Sequence, residues 1–307
     1  MTREQREHVR ELRRNSLLDL GGDLDVQRPL FEQILSSQPV PADAIVQRLD
    51  LAGVAALAVT ISDAPRPVGT ALYFHGGAFA LGSANSSLGL VTQIARRSGL
   101  RIVTVDYRLA PEHPAPAAAT DAATSYEALL DSGIGAGEMI VIGESAGGAV
   151  ALRLLTSLVA GNRPVPAGAV FLSPWIDLTL AGDSMTTRAS VDVAVNREAL
   201  ARRVLDYAGQ GAASAREHSP LFDGMRGLPP TLVQVGTYET LLDDSVRLAS
   251  RLAAADVSVI LDITAEVPHV FQGLAPMLDE GALALDRAAQ FVRTALAHPA
   301  RDPLADG

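Results

Sequence analysis

The stretch Met139-Ile140-Val141-Ile142-Gly143-Glu144-Ser145-Ala146-Gly147-Gly148-Ala149-Val150 limits the fold of this chain more than any other. A short apolar run ends at Ile142, a five-residue turn with glycine at both ends follows, and an apolar helical pattern begins at once. A serine at so sharp a strand-to-helix turn is held in strained backbone geometry. Close packing there requires small neighbours two residues to either side, which Gly143 and Gly147 supply. The turn also sets Ser145 at a helix N-terminus, where backbone N–H groups favour developing negative charge. Ser145 is therefore expected to act as a nucleophile at the edge of a sheet flanked by helices.

The rest of the chain fits that sheet. β-Branched and apolar runs near 45–51, 54–61, 69–74, 101–106, 139–142, 169–173, 231–236 and 258–264 are bounded by Gly, Pro, Asp or Ser and predict eight strands. Helical spacing predicts helices near 86–99, 117–132, 145–160, 241–255 and 283–296, and residues 5–36 look helical. The class is α/β: alternation from the third strand onward implies a mostly parallel sheet, and the first two strands are close enough to form a hairpin. Residues 181–218, with a helix near 197–208, interrupt the alternation as an insertion after the sixth strand. In an open α/β sheet ligands bind outside the carboxyl ends of the strands, where such an insertion sits. Residues 299–307 read as a flexible tail.

Composition removes several chemistries. The chain of 307 residues has no Cys, which excludes disulfides and thiol nucleophiles, and all 25 basic residues are Arg, which excludes a Schiff-base lysine, a Ser–Lys dyad and a P-loop lysine. A net charge of −10 argues against nucleic acid as a partner. Residues 1–20 lack a secretory apolar stretch, and apolar runs elsewhere fall short of a membrane span. A soluble, cytoplasmic protein without a membrane partner is expected. No His-Glu-x-x-His pair suggests a metallohydrolase.

Acyl transfer at Ser145 needs hydrogen-bond donors for an oxyanion. His75-Gly76-Gly77-Ala78-Phe79 follows the third strand, where such a loop is expected, and the backbone N–H groups of Gly76, Gly77 and Ala146 are assigned as the donors. His75 is expected to shape this loop and not to serve as the base.

The base should follow the acid, and the acid should follow the nucleophile, in chain order. His8, His75 and His113 precede Ser145, His218 falls in the insertion and His298 at the tail. His269, just after the last strand, is the expected base. The acid belongs after the seventh strand, where Glu239, Asp243 and Asp244 are available. Asp243 and Asp244 fall within the following helical pattern, whereas Glu239 stands on the loop, so Glu239 is chosen; its competing role is to cap that helix. Asp243 is expected to brace the loop or the first helical turn.

Together these residues resemble the hormone-sensitive lipase family of α/β-hydrolases, in particular its bacterial esterases. The resemblance rests on His75-Gly-Gly-Ala-Phe79, Asp106-Tyr-Arg-Leu-Ala-Pro-Glu-His-Pro114, Gly143-Glu-Ser-Ala-Gly147, Ser173-Pro-Trp175 and Pro268-His269. Two departures stand out: Glu144 occupies a position that is Asp in many relatives, and the acid motif reads Glu239-Thr-Leu-Leu-Asp243 where Asp-x-Leu-x-Asp is usual. The resemblance implies the α/β-hydrolase fold with a helical cap. Residues 1–40 would supply its N-terminal helices and 181–218 its insertion, with 41–298 as the catalytic domain. It implies hydrolysis of a small-molecule ester with a short or medium acyl chain through a Ser145-His269-Glu239 triad, with no cofactor. It also implies a homodimer through the edge strand near 258–264. Lactone hydrolysis with the same triad is the alternative, and a non-catalytic binding protein on this fold is the more distant one. Asp106, Tyr107 and Arg108 are expected to brace loops, as Asp–Arg pairs commonly do. Glu144 is expected to hold neighbouring loops by hydrogen bonds, and Phe79 and Trp175 to be core.

Overall fold

The structure, a computed structural model, describes residues 3–62 and 67–298; the expected tail at 299–307 lies outside them. The apolar runs form β1 (Ala44–Leu51), β2 (Val54–Ile61), β3 (Thr70–Phe74), β4 (Arg101–Val105), β5 (Met139–Glu144), β6 (Gly168–Leu172), β7 (Thr231–Gly236) and β8 (Val259–Thr264). They make one eight-stranded sheet in the order β1-β2-β4-β3-β5-β6-β7-β8. β2 pairs antiparallel with both β1 and β4, and all other neighbours are parallel.

The inner strands carry the core. β3, β6 and β7 are buried along their whole length, as parallel strands covered on both faces must be. Alternate residues serve opposite faces. Leu72, Phe74, Val141 and Phe171 pack with Leu129 of α4 (Ala117–Asp131), Leu155 of α5 (Ala146–Ala160) and Leu248 of α9 (Leu242–Ala254). Tyr73, Ile140, Ile142 and Val170 pack with Val91 of α3 (Leu88–Ser98) and Leu285 and Val292 of α10 (Asp279–Ala297). α10 begins earlier than its apolar spacing suggests, because Asp279 and Glu280 in its first turn suit a helix N-terminus.

The expected N-terminal helices are α1 (Arg3–Arg14) and α2 (Leu24–Ser36). The carboxylate of Asp23 accepts from Asp25 N at 3.0 Å and caps α2, while that of Asp19 accepts from Gly21 N at 2.9 Å and turns the chain. A Cβ on Gly21 would come within 2.8 Å of the Ala199 Cα, so the turn packs directly on α7 (Arg197–Ala208) of the insertion. Arg203, also on α7, donates to the carbonyls of Gly21 at 3.3 Å and Gly22 at 3.1 Å. The insertion itself holds α6 (Ser184–Thr187), α7 and α8 (Ala212–Glu217).

Register gathers the loops of interest. Phe74 pairs with Gly143, Glu144 with Leu172, Leu172 with Gln234, and Gly236 with Thr264. The chain leaves β3, β5, β6, β7 and β8 side by side at one end of the sheet.

Candidate active site

Ser145 stands between β5 and α5 with φ 51° and ψ −120°, a strained conformation for a residue with a side chain. Three hydrogen bonds hold it there. Its N–H donates to Leu172 O at 2.9 Å, and its carbonyl accepts from Gly148 N and Trp175 N, each at 2.9 Å. The flanking glycines are obligatory: a Cβ on Gly147 would lie 2.0 Å from Phe74 O, and one on Gly143 would lie 2.6 Å from Gly147 O. Crowding by the end of β3 thus explains why this turn needs its spacing of small residues.

Three side chains from three loops meet in a line. His269 Nε2 lies 2.9 Å from Ser145 Oγ, and His269 Nδ1 lies 2.8 Å from Glu239 Oε2. Glu239 is fully buried, and its other oxygen accepts from Ser173 Oγ at 2.8 Å and Gly236 N at 2.5 Å. The Ser173 hydroxyl oxygen in turn accepts from Val270 N at 3.1 Å. Ser173 therefore ties the acid's loop to the histidine's loop, a role that sequence alone does not show although its Ser-Pro-Trp motif stood out.

The neighbouring acids have other work. Asp243 accepts from Ser184 N at 2.8 Å and so braces the insertion, not its own loop or turn. Asp244 accepts from Ile176 N at 2.8 Å and Asp177 N at 2.9 Å, and burial pushes its carboxyl up to about 7. Asp192, in the insertion, reaches the acid's loop: it accepts from Thr240 N at 2.7 Å and Thr240 Oγ1 at 3.0 Å.

The loop after β3 is stiff. Gly77, Ala78 and Phe79 all have positive φ, at 112°, 53° and 64°. Gly77 O accepts from Ala80 N at 3.0 Å and Leu81 N at 2.8 Å, and a Cβ on Gly77 would strike Leu81 O at 2.1 Å. His75 belongs to this loop's framework. Its Nδ1 donates to Gly76 O at 2.6 Å, its ring stacks on Tyr107 at 4.3 Å, and burial lowers its pKa to about 4, which leaves it neutral near pH 7. Tyr107 Oη donates to His75 O at 2.7 Å.

Glu144 accepts from Tyr73 Oη; burial raises its pKa, and the bond from Tyr73 opposes the rise. The N–H groups of Gly76, Gly77 and Ala146 donate to no backbone acceptor among the described residues. The brace at Asp106 and Arg108 differs from a direct pair: Asp106 accepts from Ala84 N at 2.5 Å, while Arg108 forks onto Asp121 at 2.8–3.0 Å.

Two outer segments close over these loops. Val9 of α1 is 1% exposed, inserted in a cluster with Val267 and Phe271 on either side of His269. Phe79 stacks on Tyr207 of α7 at 3.9 Å and tilts against Trp175 at 5.2 Å, so both expected core aromatics are buried.

Known proteins agree with this architecture. A family model described as the alpha/beta hydrolase fold matches residues 71–273. An esterase of Acinetobacter venetianus is 35% identical over 86% of this chain and 87% of its own length. An acetyl-hydrolase of Streptomyces hygroscopicus is 37% identical over 74% of this chain and 76% of its own. A crystal structure of an esterase from the bacterial hormone-sensitive lipase family superposes with a TM-score of 0.90 at 36% identity, covering 96% of this chain and 99% of that one. With its serine turn, its parallel sheet and these relatives, the chain belongs to the α/β-hydrolase family and, within it, to the bacterial hormone-sensitive lipase esterases.

Proposed function

We propose that this esterase hydrolyses short-chain carboxylic esters through a Ser145-His269-Glu239 triad and an acyl-enzyme. The continuous hydrogen-bonded line from Glu239 through His269 to Ser145 Oγ carries the reading. His269 removes the Ser145 proton as Oγ attacks the ester carbonyl, and Glu239 stabilises the imidazolium that forms. Collapse of the tetrahedral intermediate expels the alcohol, which takes its proton from His269. Water, deprotonated by His269, then attacks the acyl carbonyl and restores the Ser145 hydroxyl. The oxyanion is held by the N–H groups of Gly76, Gly77 and Ala146.

A short acyl chain is supported by the likeness to an acetyl-hydrolase and by the packing of Phe79, Trp175 and Tyr207, joined to the Ser145 turn through the Trp175 N bond to Ser145 O. Residues 1–40 and 181–218 act as the cover over the substrate, supported by Val9 beneath α1 and by the Arg203 bonds that join the two segments.

A p-nitrophenyl ester series from acetate to decanoate tests both points. Turnover peaks at or below butyrate, and Ser145→Ala lowers kcat by at least about 10³-fold. Retained turnover in the variant sinks the nucleophile, and a peak at decanoate sinks the short-chain assignment.

A further inference from the structure

α2 lies along the chain that leaves the Gly77 turn, and one of its faces is bonded to that chain at successive turns. Arg28, Glu32 and Ser36 follow one another at intervals of four residues, so they share a face of the helix. Arg28 Nε donates to Ala80 O at 2.9 Å, Glu32 accepts from Ser83 Oγ at 3.0 Å, and Ser36 Oγ accepts from Asn85 Nδ2 at 3.1 Å. Arg28 also reaches a second loop. Its Nη2 donates to Ala110 O at 3.0 Å, and its two terminal nitrogens fork onto the Glu112 carboxylate, each at 2.7 Å.

The two carbonyls distinguish Arg28 from an ordinary surface ion pair. Ala80 and Ala110 are both buried, and no other donor meets either carbonyl among the described residues. Their loops are themselves joined, because Ala110 N donates to Phe79 O at 2.9 Å. Arg28 thus closes a ring of hydrogen bonds at the end of Gly77-Ala78-Phe79, the run of positive φ angles that is strained at Ala78 and Phe79. Such backbone persists only where its surroundings over-determine it. Ala80 N donates to Gly77 O, so movement of Ala80 moves Gly77. A rigid fork of five N–H donors can hold two carbonyls and a carboxylate at once, which an ammonium cannot.

We propose that Arg28 is a positioning residue of the oxyanion hole: it fastens the far end of the Gly77 turn, so that the N–H groups of Gly76 and Gly77 stay aimed at the tetrahedral intermediate. This rests on the acyl-transfer reading of Ser145, and it gives the N-terminal segment a part in the chemistry beyond covering the substrate. Donors fixed in advance stabilise the oxyanion because they need not reorganise as its charge develops. A small displacement of them therefore lowers kcat more than it raises KM.

The test uses the full chain and its Arg28→Met, Arg28→Lys and Glu112→Gln variants, with p-nitrophenyl butyrate as substrate. Active enzyme is counted from the burst of p-nitrophenol released when diethyl p-nitrophenyl phosphate phosphorylates Ser145, so kcat refers to folded molecules alone. The second readout is the inhibition constant of butyl trifluoromethyl ketone. Ser145 Oγ adds to its carbonyl carbon, the hydroxyl proton passes to His269, and the carbonyl oxygen becomes the anion that the hole receives. Arg28→Met is expected to lower kcat about 10–100-fold with KM within roughly threefold, and to weaken the ketone by the same factor as kcat/KM. Arg28→Lys reaches one carbonyl without bridging both and should show a smaller loss in the same two readouts; it decides the matter if Arg28→Met does not fold. Glu112→Gln leaves both carbonyl bonds in place and should stay within about threefold of wild type. Reduced thermal stability with unchanged kcat and ketone affinity overturns the proposal. A Glu112→Gln loss equal to that of Arg28→Met overturns it too, since the ion pair and not the carbonyl bonds would then matter. A wild type that neither turns over the butyrate nor gives a burst overturns the Ser145 reading and this proposal with it. A wild type that does both, beside Arg28 variants that match it, overturns this proposal alone.

Discussion

The loop after β3 and the loop after β8 each bury a histidine at the same end of the sheet, with His75 2% exposed and His269 7%. Burial is nearly equal, but the partners differ. Both nitrogens of His269 face a titratable or nucleophilic side chain. His75 spends Nδ1 on the carbonyl of the next residue, and its buried Nε2 has no hydrogen-bond partner in the structure. A ring placed between a hydroxyl and a carboxylate can move a proton, whereas one bonded to its own backbone can only hold a shape. What a buried histidine does is set by the pair of groups it joins, not by its depth.

The sharpest way to break that comparison is to exchange the rings for amides. His269→Gln is expected to lower kcat by at least about 10⁴-fold with little loss of thermal stability. His75→Asn is expected to cost mainly stability, about 1–3 kcal/mol, with a much smaller loss of kcat. Equal losses of kcat would mean that both rings take part in the chemistry. Next in size is Glu239→Gln, which keeps the shape but not the charge facing His269 Nδ1. A fall in kcat of about 10²–10⁴-fold is expected from steady-state rates on a p-nitrophenyl ester. A value near wild type would return the acid role to another carboxylate.

The last test is a pH dependence of stability, which leaves the rate comparison untouched. The ordinary pKa of 6.5 falls to about 4 for His75 in the folded chain, chiefly through burial. The unfolded chain therefore binds the extra proton first as pH falls. The stabilisation that His75 confers is complete above pH 6.5 and is lost as pH drops toward 4, amounting to about 3 kcal/mol. Urea denaturation of wild type and His75→Asn at several pH values should show the two curves converging toward pH 4. Parallel curves would contradict a neutral His75.

Much of this was legible in the sequence because it is local. Alternating β-branched runs fixed the strands to within a residue or two at their ends, and the small residues around Ser145 announced a turn too tight for anything else. Chain order and place along the chain pointed to His269 among six histidines, and loop position pointed to Glu239 over Asp243 and Asp244. What could not be read depends on chain-distant neighbours. The break between α1 and α2 is set by Gly21 pressed on Ala199. Arg108 meets Asp121, not Asp106, because the brace crosses to α4. Ser173 matters only because β6 ends between the acid and the histidine.

The bonds from Arg203 to the Gly21 and Gly22 carbonyls constrain how this chain can be shortened or can diverge. The Arg203 side chain is 1% exposed. Deleting everything ahead of α2 would remove both carbonyls and leave that buried cation to Asp206 at 3.1 Å, so the damage would spread to α7 instead of stopping at the cut. Through evolution, Gly21, Gly22 and Arg203 should change together or stay fixed. The start of the chain and its middle are thus a single unit of inheritance, although most of the catalytic sheet lies between them in sequence.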